Sequence, residues 1–197
     1  MKKICVINYG VNNISSICKA LKKINEDYVV VSEKDQIKNF SNIILPGVGS
    51  FDSGMNVMKN KGFDISLKKA ASNGQFILGI CLGMQLLCNY TEEGDTKGLG
   101  VFNTNIKRFS NKVKVPQIGW NTITNLKSML FNGISDGEYM YLVHSYYAEI
   151  CKETISVTSY NFNYSSALQK DNFYGVQFHP EKSSIVGEQV LKNFLEL

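Results

Sequence analysis

Phe76-Ile77-Leu78-Gly79-Ile80-Cys81-Leu82-Gly83-Met84-Gln85-Leu86-Leu87 is the stretch on which the fold turns. A short apolar run ends on a cysteine flanked by glycines, and helix formers follow at once. A strand that turns sharply into a helix on a glycine-flanked nucleophile is a nucleophile elbow, with a thiol in place of the commoner hydroxyl. The glycines matter because the turn is tight and a Cβ at either position would crowd it. Such a turn holds the sulfur above the end of a sheet, at a helix N-terminus whose partial positive charge favours thiolate.

Upstream of the elbow, Lys3 to Asn8 reads as a buried strand ending at Tyr9-Gly10, and Ile14, Ile17, Cys18, Leu21 and Ile24 recur at helical spacing. Tyr28-Val29-Val30-Val31 and Asn42-Ile43-Ile44-Leu45 predict two further strands, the second stopped by Pro46-Gly47. A helix is expected from about Asp64 to Asn73, and another after Cys81 that runs on through Cys88. Strand and helix therefore alternate, the signature of an α/β fold: a mostly parallel sheet with helices on both faces. From Gly98 to Tyr174 the apolar segments are short, β-branched or aromatic, and separated by Asn, Ser, Gly and Asp, which predicts antiparallel strands and hairpins. Phe173 to Phe178 returns as a strand, and Val186, Val190, Leu191, Phe194 and Leu195 predict a closing amphipathic helix. With 197 residues and 44% apolar content, no repeats and no linker, residues 1–197 are expected to form one domain.

Bulk properties narrow the function. No apolar run is long enough to span a bilayer, and nothing at the N-terminus has the apolar core of a signal peptide, so neither a membrane protein nor a secreted one is expected. The five cysteines are odd in number and contain no C-x-x-C pair, which points to a reducing cytoplasm rather than a disulfide framework or a thiolate zinc site. The net charge of +4 is mild, and Arg108, in the Lys107-Arg108, Lys112, Lys114 cluster, is the single arginine. Nucleic-acid readers use arginine forks on guanine and phosphate, so no nucleic-acid partner is expected, and the cluster reads as a solvated basic face.

Only two histidines compete for the role of base. His179 lies in Gly175-Val176-Gln177-Phe178-His179-Pro180-Glu181 at the end of a strand. Side chains alternate along extended chain, so Glu181 at i+2 projects to the same side and can orient the ring. Cys81, His179 and Glu181 are the parts of a cysteine-nucleophile acyl-transfer triad. His144, in Val143-His144-Ser145-Tyr146-Tyr147, has no nearby acid and reads as a residue lining the site at most. Two histidines so far apart in sequence offer no metal pair. The glycine-rich stretches lack the third glycine of a dinucleotide loop and the lysine of a phosphate loop. Pro46-Gly47-Val48-Gly49 reads better as an oxyanion strand, with the N–H groups of Gly49 and Leu82 as donors.

These motifs resemble the class I (triad) glutamine amidotransferases. Within that class they are similar to the glutaminase subunits of imidazole glycerol phosphate synthases. The likeness runs through Tyr9-Gly10 with Asn13 and Ser16, Pro46-Gly47-Val48-Gly49, Gly79-x-Cys81-x-Gly83-x-Gln85 and Gly98-Leu99-Gly100-Val101. It continues in Pro116-x-x-Gly119-Trp120-Asn121, Val143-His144-Ser145-Tyr146-Tyr147 and Gly175 to Ser183. The resemblance implies a flavodoxin-like sheet and a glutaminase that uses Cys81, His179 and Glu181, with no cofactor and no metal. It also implies that Gln85, Ser145 and Tyr146 hold L-glutamine. Ammonia would pass to a (β/α)8-barrel cyclase partner in a heterodimer, giving imidazole glycerol phosphate and an aminoimidazole carboxamide ribotide in histidine biosynthesis. The barrel would also wake the glutaminase by aligning the oxyanion strand.

Two positions depart from the family pattern: Gln117 stands where histidine is usual, and Asn12 where glycine is usual. Neighbours of Gln117 are expected to face the partner, so the departure bears on the partner's identity. Two alternatives stand beside the first reading. One is a glutaminase feeding ammonia to an amidotransferase that builds amidino groups on surface sugars; the other is a non-catalytic regulatory subunit on the same fold.

Overall fold

The computed structural model describes residues 4–10 and 12–197, so the Lys3 end of the expected first strand lies outside the described residues. Strand β1 (Ile4–Ile7) leads to helix α1 (Ile14–Lys23), then β2 (Tyr28–Val31) and β3 (Asn42–Gly47). Helices α2 (Phe51–Asn60) and α3 (Phe63–Ser72) precede β4 (Phe76–Cys81), which runs into the five-residue α4 (Leu82–Leu86). The strands then come in close succession: β5 (Cys88–Thr91), β6 (Thr96–Lys97), β7 (Phe102–Arg108), β8 (Gln117–Ile123) and β9 (Glu138–His144). After β10 (Tyr146–Ala148), β11 (Thr154–Ser159), β12 (Asn163–Lys170) and β13 (Phe173–Val176), helix α5 (Ser184–Glu196) closes the chain.

Among the described residues, one 11-stranded sheet carries the order β2-β1-β3-β4-β13-β12-β10-β7-β5-β6, with β11 on β12, and β8 pairs with β9 in a separate ribbon. The first five strands of that order are mutually parallel, and β13–β12, β12–β10 and β10–β7 are antiparallel. The expected α/β class is therefore present: a parallel half with helices on both faces, joined to antiparallel strands from the second half of the chain. Period-2 alternation splits the core between the faces. Cys5 and Ile7 point into one apolar cluster with Leu45, Met55 and Met84, while Ile4 and Val6 point into another with Ile44, Leu78, Ile80 and Phe194. Each such fully buried aliphatic side chain contributes about 1.5–3 kcal/mol. Buried Asn42 donates from Nδ2 to the Phe194 carbonyl at 3.0 Å and pins α5 to the sheet.

Two elements differ from the sequence reading. Helix α2 was not expected, since Ser53, Gly54 and Asn56 are weak helix formers; it is held by burial of Phe51, Met55 and Met58 at helical spacing. Cys88 does not continue the helix after Cys81 but opens β5. The cause is non-local: the N–H groups of Leu99, Gly100 and Val101 take the carbonyls of Leu86, Cys88 and Leu87. Those carbonyls are thereby lost to further helix, and Gly98-Leu99-Gly100-Val101 is the element that ends α4.

Candidate active site

Cys81 adopts φ 54, ψ −111, a backbone conformation that costs a residue with a Cβ roughly 1–3 kcal/mol and persists only where its surroundings enforce it. The enforcement is backbone against backbone. A Cβ on Gly79 would lie 2.6 Å from the Gly83 carbonyl oxygen, and one on Gly83 would collide with the Leu45 carbonyl oxygen. Both glycines let α4 sit directly on β3 and β4. The parallel pairing of β3 with β4 runs on to Gly47 opposite Cys81, and on its other side β4 pairs Ile80 with Val176 of β13. The sheet order therefore delivers three segments to one end: the Pro46–Gly49 strand exit, the elbow, and the Gln177–Glu181 exit. That end is the carboxyl edge of parallel strands, where such sheets hold their ligands.

A cavity of about 350 Å³ opens there, lined by Gly49, Cys81, Leu82, Gln85, Ser145, Tyr146 and His179 among others. His179 is 3% exposed, and its Nδ1 stands 2.8 Å from Glu181 Oε1. The His179 Nε2 is buried without a hydrogen-bond partner. Burial disfavours a charged imidazole, but the neighbouring Cys81 sulfur and Glu181 carboxylate outweigh it and raise His179 to about 10. Glu181 stands behind the ring, outside the main cavity. With only five residues, α4 supplies little of the end charge expected of it; the positive partner of the sulfur is His179. Among the described residues neither Val48 nor Gly49 gives its N–H to a backbone carbonyl, and Leu82, as the first residue of α4, has no partner within the helix.

Gln85 is 5% exposed. Its Nε2 donates to the Tyr146 carbonyl at 3.1 Å and to Gln177 Oε1 at 2.9 Å. Its own Oε1 is thereby held in a fixed orientation at the cavity wall. Two residues absent from the sequence reading belong to the same site. Gln177 is fully buried, and its Nε2 lies 3.7 Å from the Cys81 sulfur. The signal was available: a polar residue in an apolar strand, two positions before His179 and so on the same side. Glu93 lines the cavity while its Oε2 accepts the Phe51 N–H at 2.8 Å; it comes from a turn after β5, and nothing local in the sequence marks it.

His144 keeps its modest role. Its Nδ1–H donates to the Tyr146 carbonyl at 2.7 Å, and Nε2 lies 3.2 Å from the Tyr164 hydroxyl, which is 3.0 Å from Gln117 Oε1. Burial pushes His144 down to about 4, with the charge of His179 adding to the effect against the Tyr146 bond. Gln117 is 3% exposed and its side chain belongs to this interior network, while its neighbours Ile118 and Trp120 are exposed. Asn12 spends its side chain on the Ile7 carbonyl at 3.1 Å.

The two histidines act on stability in opposite directions with pH. The contribution of charged His179 is complete below its ordinary value near 6.5 and is lost as pH rises through about 10. The contribution of neutral His144 is present above about 6.5 and is lost as pH falls through about 4. Glu181→Gln should flatten the alkaline arm of a Tm–pH profile and leave the acid arm in place. Parallel alkaline arms in the variant and the parent would refute this account of His179.

The sequence profile of the family "Glutamine amidotransferase class-I" matches residues 5–197. The chain is 47% identical over 198 residues to the imidazole glycerol phosphate synthase subunit HisH of Bacteroides fragilis, covering 99% of this chain and 100% of that protein. It is 44% identical over 200 residues to the subunit HisH 2 of Methanococcus maripaludis, covering 98% of each. In fold it is similar to the structure of PurLQS from Thermotoga maritima, with a TM-score of 0.78, 21% identity, and 100% and 99% of the two chains covered. With the family profile and the HisH relatives both spanning essentially its whole length, this chain belongs to the class-I glutamine amidotransferases and, within them, to the HisH subunits of imidazole glycerol phosphate synthase.

Proposed function

We propose that this subunit releases ammonia from L-glutamine through Cys81, His179 and Glu181, and passes it to a (β/α)8-barrel cyclase in a heterodimer. The barrel makes imidazole glycerol phosphate and an aminoimidazole carboxamide ribotide. The observation that carries the reading is the meeting, in one cavity, of a strained glycine-flanked thiol with a buried imidazole that a carboxylate holds at 2.8 Å. The names of the relatives, each a subunit of a synthase, support a partner chain.

The chemistry runs in two halves. The Cys81 sulfur attacks the side-chain carbonyl carbon of glutamine, and the oxygen takes up charge between the N–H groups of Gly49 and Leu82. The C–N bond breaks as His179 gives a proton to the leaving nitrogen, so ammonia departs and a glutamyl thioester remains. Water then attacks the thioester, His179 takes its proton, and the thiol and glutamate are released. Glu181 holds the ring in place and offsets its charge throughout. Gln177 fixes Gln85, whose free Oε1 accepts from the substrate, and the Ser145 hydroxyl and Tyr146 complete the hold on glutamine.

Glu93 is assigned the α-ammonium of glutamine, because its carboxylate lines the cavity while Glu181 stands behind His179, outside it. Glu93→Gln keeps the acceptor for Phe51 and removes only the charge. A charge-assisted contact is worth about 1.5–3 kcal/mol, so KM for glutamine should rise about 10- to 100-fold with kcat little changed. Steady-state glutaminase kinetics of the assembled complex test this, and an unaltered KM would remove Glu93 from the binding set. For the partner, affinity capture from the native cell should recover a barrel-sized cyclase; recovery of an adenylating amidotransferase in its place would defeat the assignment.

A further inference from the structure

Tyr9 is fully buried, and its hydroxyl has no hydrogen-bond partner. A buried unpaired hydroxyl is destabilising and calls for an explanation. The residue sits where the chain leaves β1, just after the Asn8 N–H that still donates to the Val31 carbonyl of β2. Its oxygen lies against Gly47: a Cβ there would come within 2.8 Å of it and within 2.9 Å of Leu82 Cβ. The phenol is also near enough to Cys81 for the charge of the sulfur to add to the upward shift that burial imposes on it. Tyr9 therefore lies beneath the junction of the elbow and the Gly47-Val48-Gly49 segment, on the side away from solvent.

Most of the backbone around that hydroxyl is committed. Gly47 is held in the sheet opposite Cys81, and β4 is paired on both edges. Val48 and Gly49 are the exception: they are exposed, and neither N–H is given to a backbone carbonyl among the described residues. Glycines on both sides of Val48 make rotation of the intervening peptides cheap, and Gly49 already stands at φ +95. In a trans peptide the carbonyl and the N–H point in opposite directions. A rotation that brings the Val48 carbonyl down to the Tyr9 hydroxyl thus sends the Gly49 N–H up into the cavity.

We propose that Tyr9 is a positioning residue of the oxyanion hole, whose buried hydroxyl receives the Val48 carbonyl when the Val48–Gly49 peptide turns its N–H toward the developing charge. The assignment rests on the glutaminase reading above. It gives the orphan hydroxyl a partner in one of two arrangements of the strand, so Tyr9 biases the segment toward the one that catalyses. It touches neither substrate nor sulfur in doing so.

The test is Tyr9→Phe in the assembled complex, beside the parent and Cys81→Ala. The expected result is a fall of about tenfold in glutaminase kcat, the factor that one hydrogen bond of ordinary strength supplies. KM for glutamine should stay within about twofold, labelling of Cys81 by a glutamine chloroketone should slow in the same ratio as kcat, and Tm should not fall, because no bond of the resting structure is lost. An unchanged kcat overturns the proposal. So does a kcat loss that comes with a lowered Tm and normal labelling, which would make Tyr9 a packing residue. If Cys81→Ala still hydrolyses glutamine, the underlying glutaminase reading fails instead, and the two failures are told apart.

Discussion

Cys81→Ala should abolish glutamine-dependent synthesis by the assembled complex, by about four orders of magnitude or more, while ammonia-dependent synthesis by the proposed cyclase partner continues at the parent rate. The size of the loss follows from the role. Removing the nucleophile of a triad leaves only the binding and oxyanion contributions, and the other members cannot act without it. The persistence follows from the division of labour, because ammonia supplied in the medium enters the second reaction without passing the thiol. Alanine at 81 also keeps the volume of the elbow nearly unchanged, and φ 54 is no harder for alanine than for cysteine. The variant should therefore fold and assemble, which glutamine binding and gel filtration can establish. Loss of both activities with an intact complex would show that the two subunits do not divide the chemistry as proposed. Retention of glutamine-dependent synthesis would remove Cys81 from the triad and return the regulatory-subunit alternative.

The elbow, the paired His179 and Glu181 and the alternating first half were all legible in the sequence, because each is a local pattern. A glycine two residues either side of a cysteine, or a carboxylate at i+2 from a histidine, constrains geometry within a few residues. What was missed is non-local. Cys88 looks helical from its own neighbours, yet it opens a strand because the Gly98–Val101 segment takes the carbonyls beneath it. Glu93 reaches the cavity only because its carboxylate caps the Phe51 N–H, 42 positions away in sequence. Gln117 carries no local sign of where its side chain goes; the β8–β9 register sets it opposite His144, inside the aromatic network. Gln177 is the intermediate case: its alternation with His179 was visible, while its contact with Gln85 depends on the elbow being folded.

Gly83→Ala should be among the most damaging single methyls in the protein, costing more than about 4 kcal/mol and leaving little folded material at growth temperature. The cause is steric alone. Gly83 is helical, so alanine suits its backbone well. The added carbon, however, would overlap the Leu45 carbonyl oxygen and press on the carbonyl carbon 3.0 Å away. Neither partner is a flexible side-chain end: one belongs to β3, locked between β1 and β4, and the other to α4, fixed by its own glycine contacts. Gly133→Ala is the proper contrast. Gly133 stands at φ +74 with nothing within 4 Å of an added carbon, so its cost is conformational, about 1–2 kcal/mol. Urea unfolding of the two variants separates the causes. The Gly133 variant should keep full Cys81 labelling with a slightly lowered midpoint. Any folded remainder of the Gly83 variant should label poorly, since α4 can relieve the clash only by lifting off β3 and carrying the elbow with it. A Gly83 variant with the parent's midpoint and labelling rate would mean that the elbow tolerates separation of helix from sheet, and that its strained cysteine is enforced by something other than the two glycines.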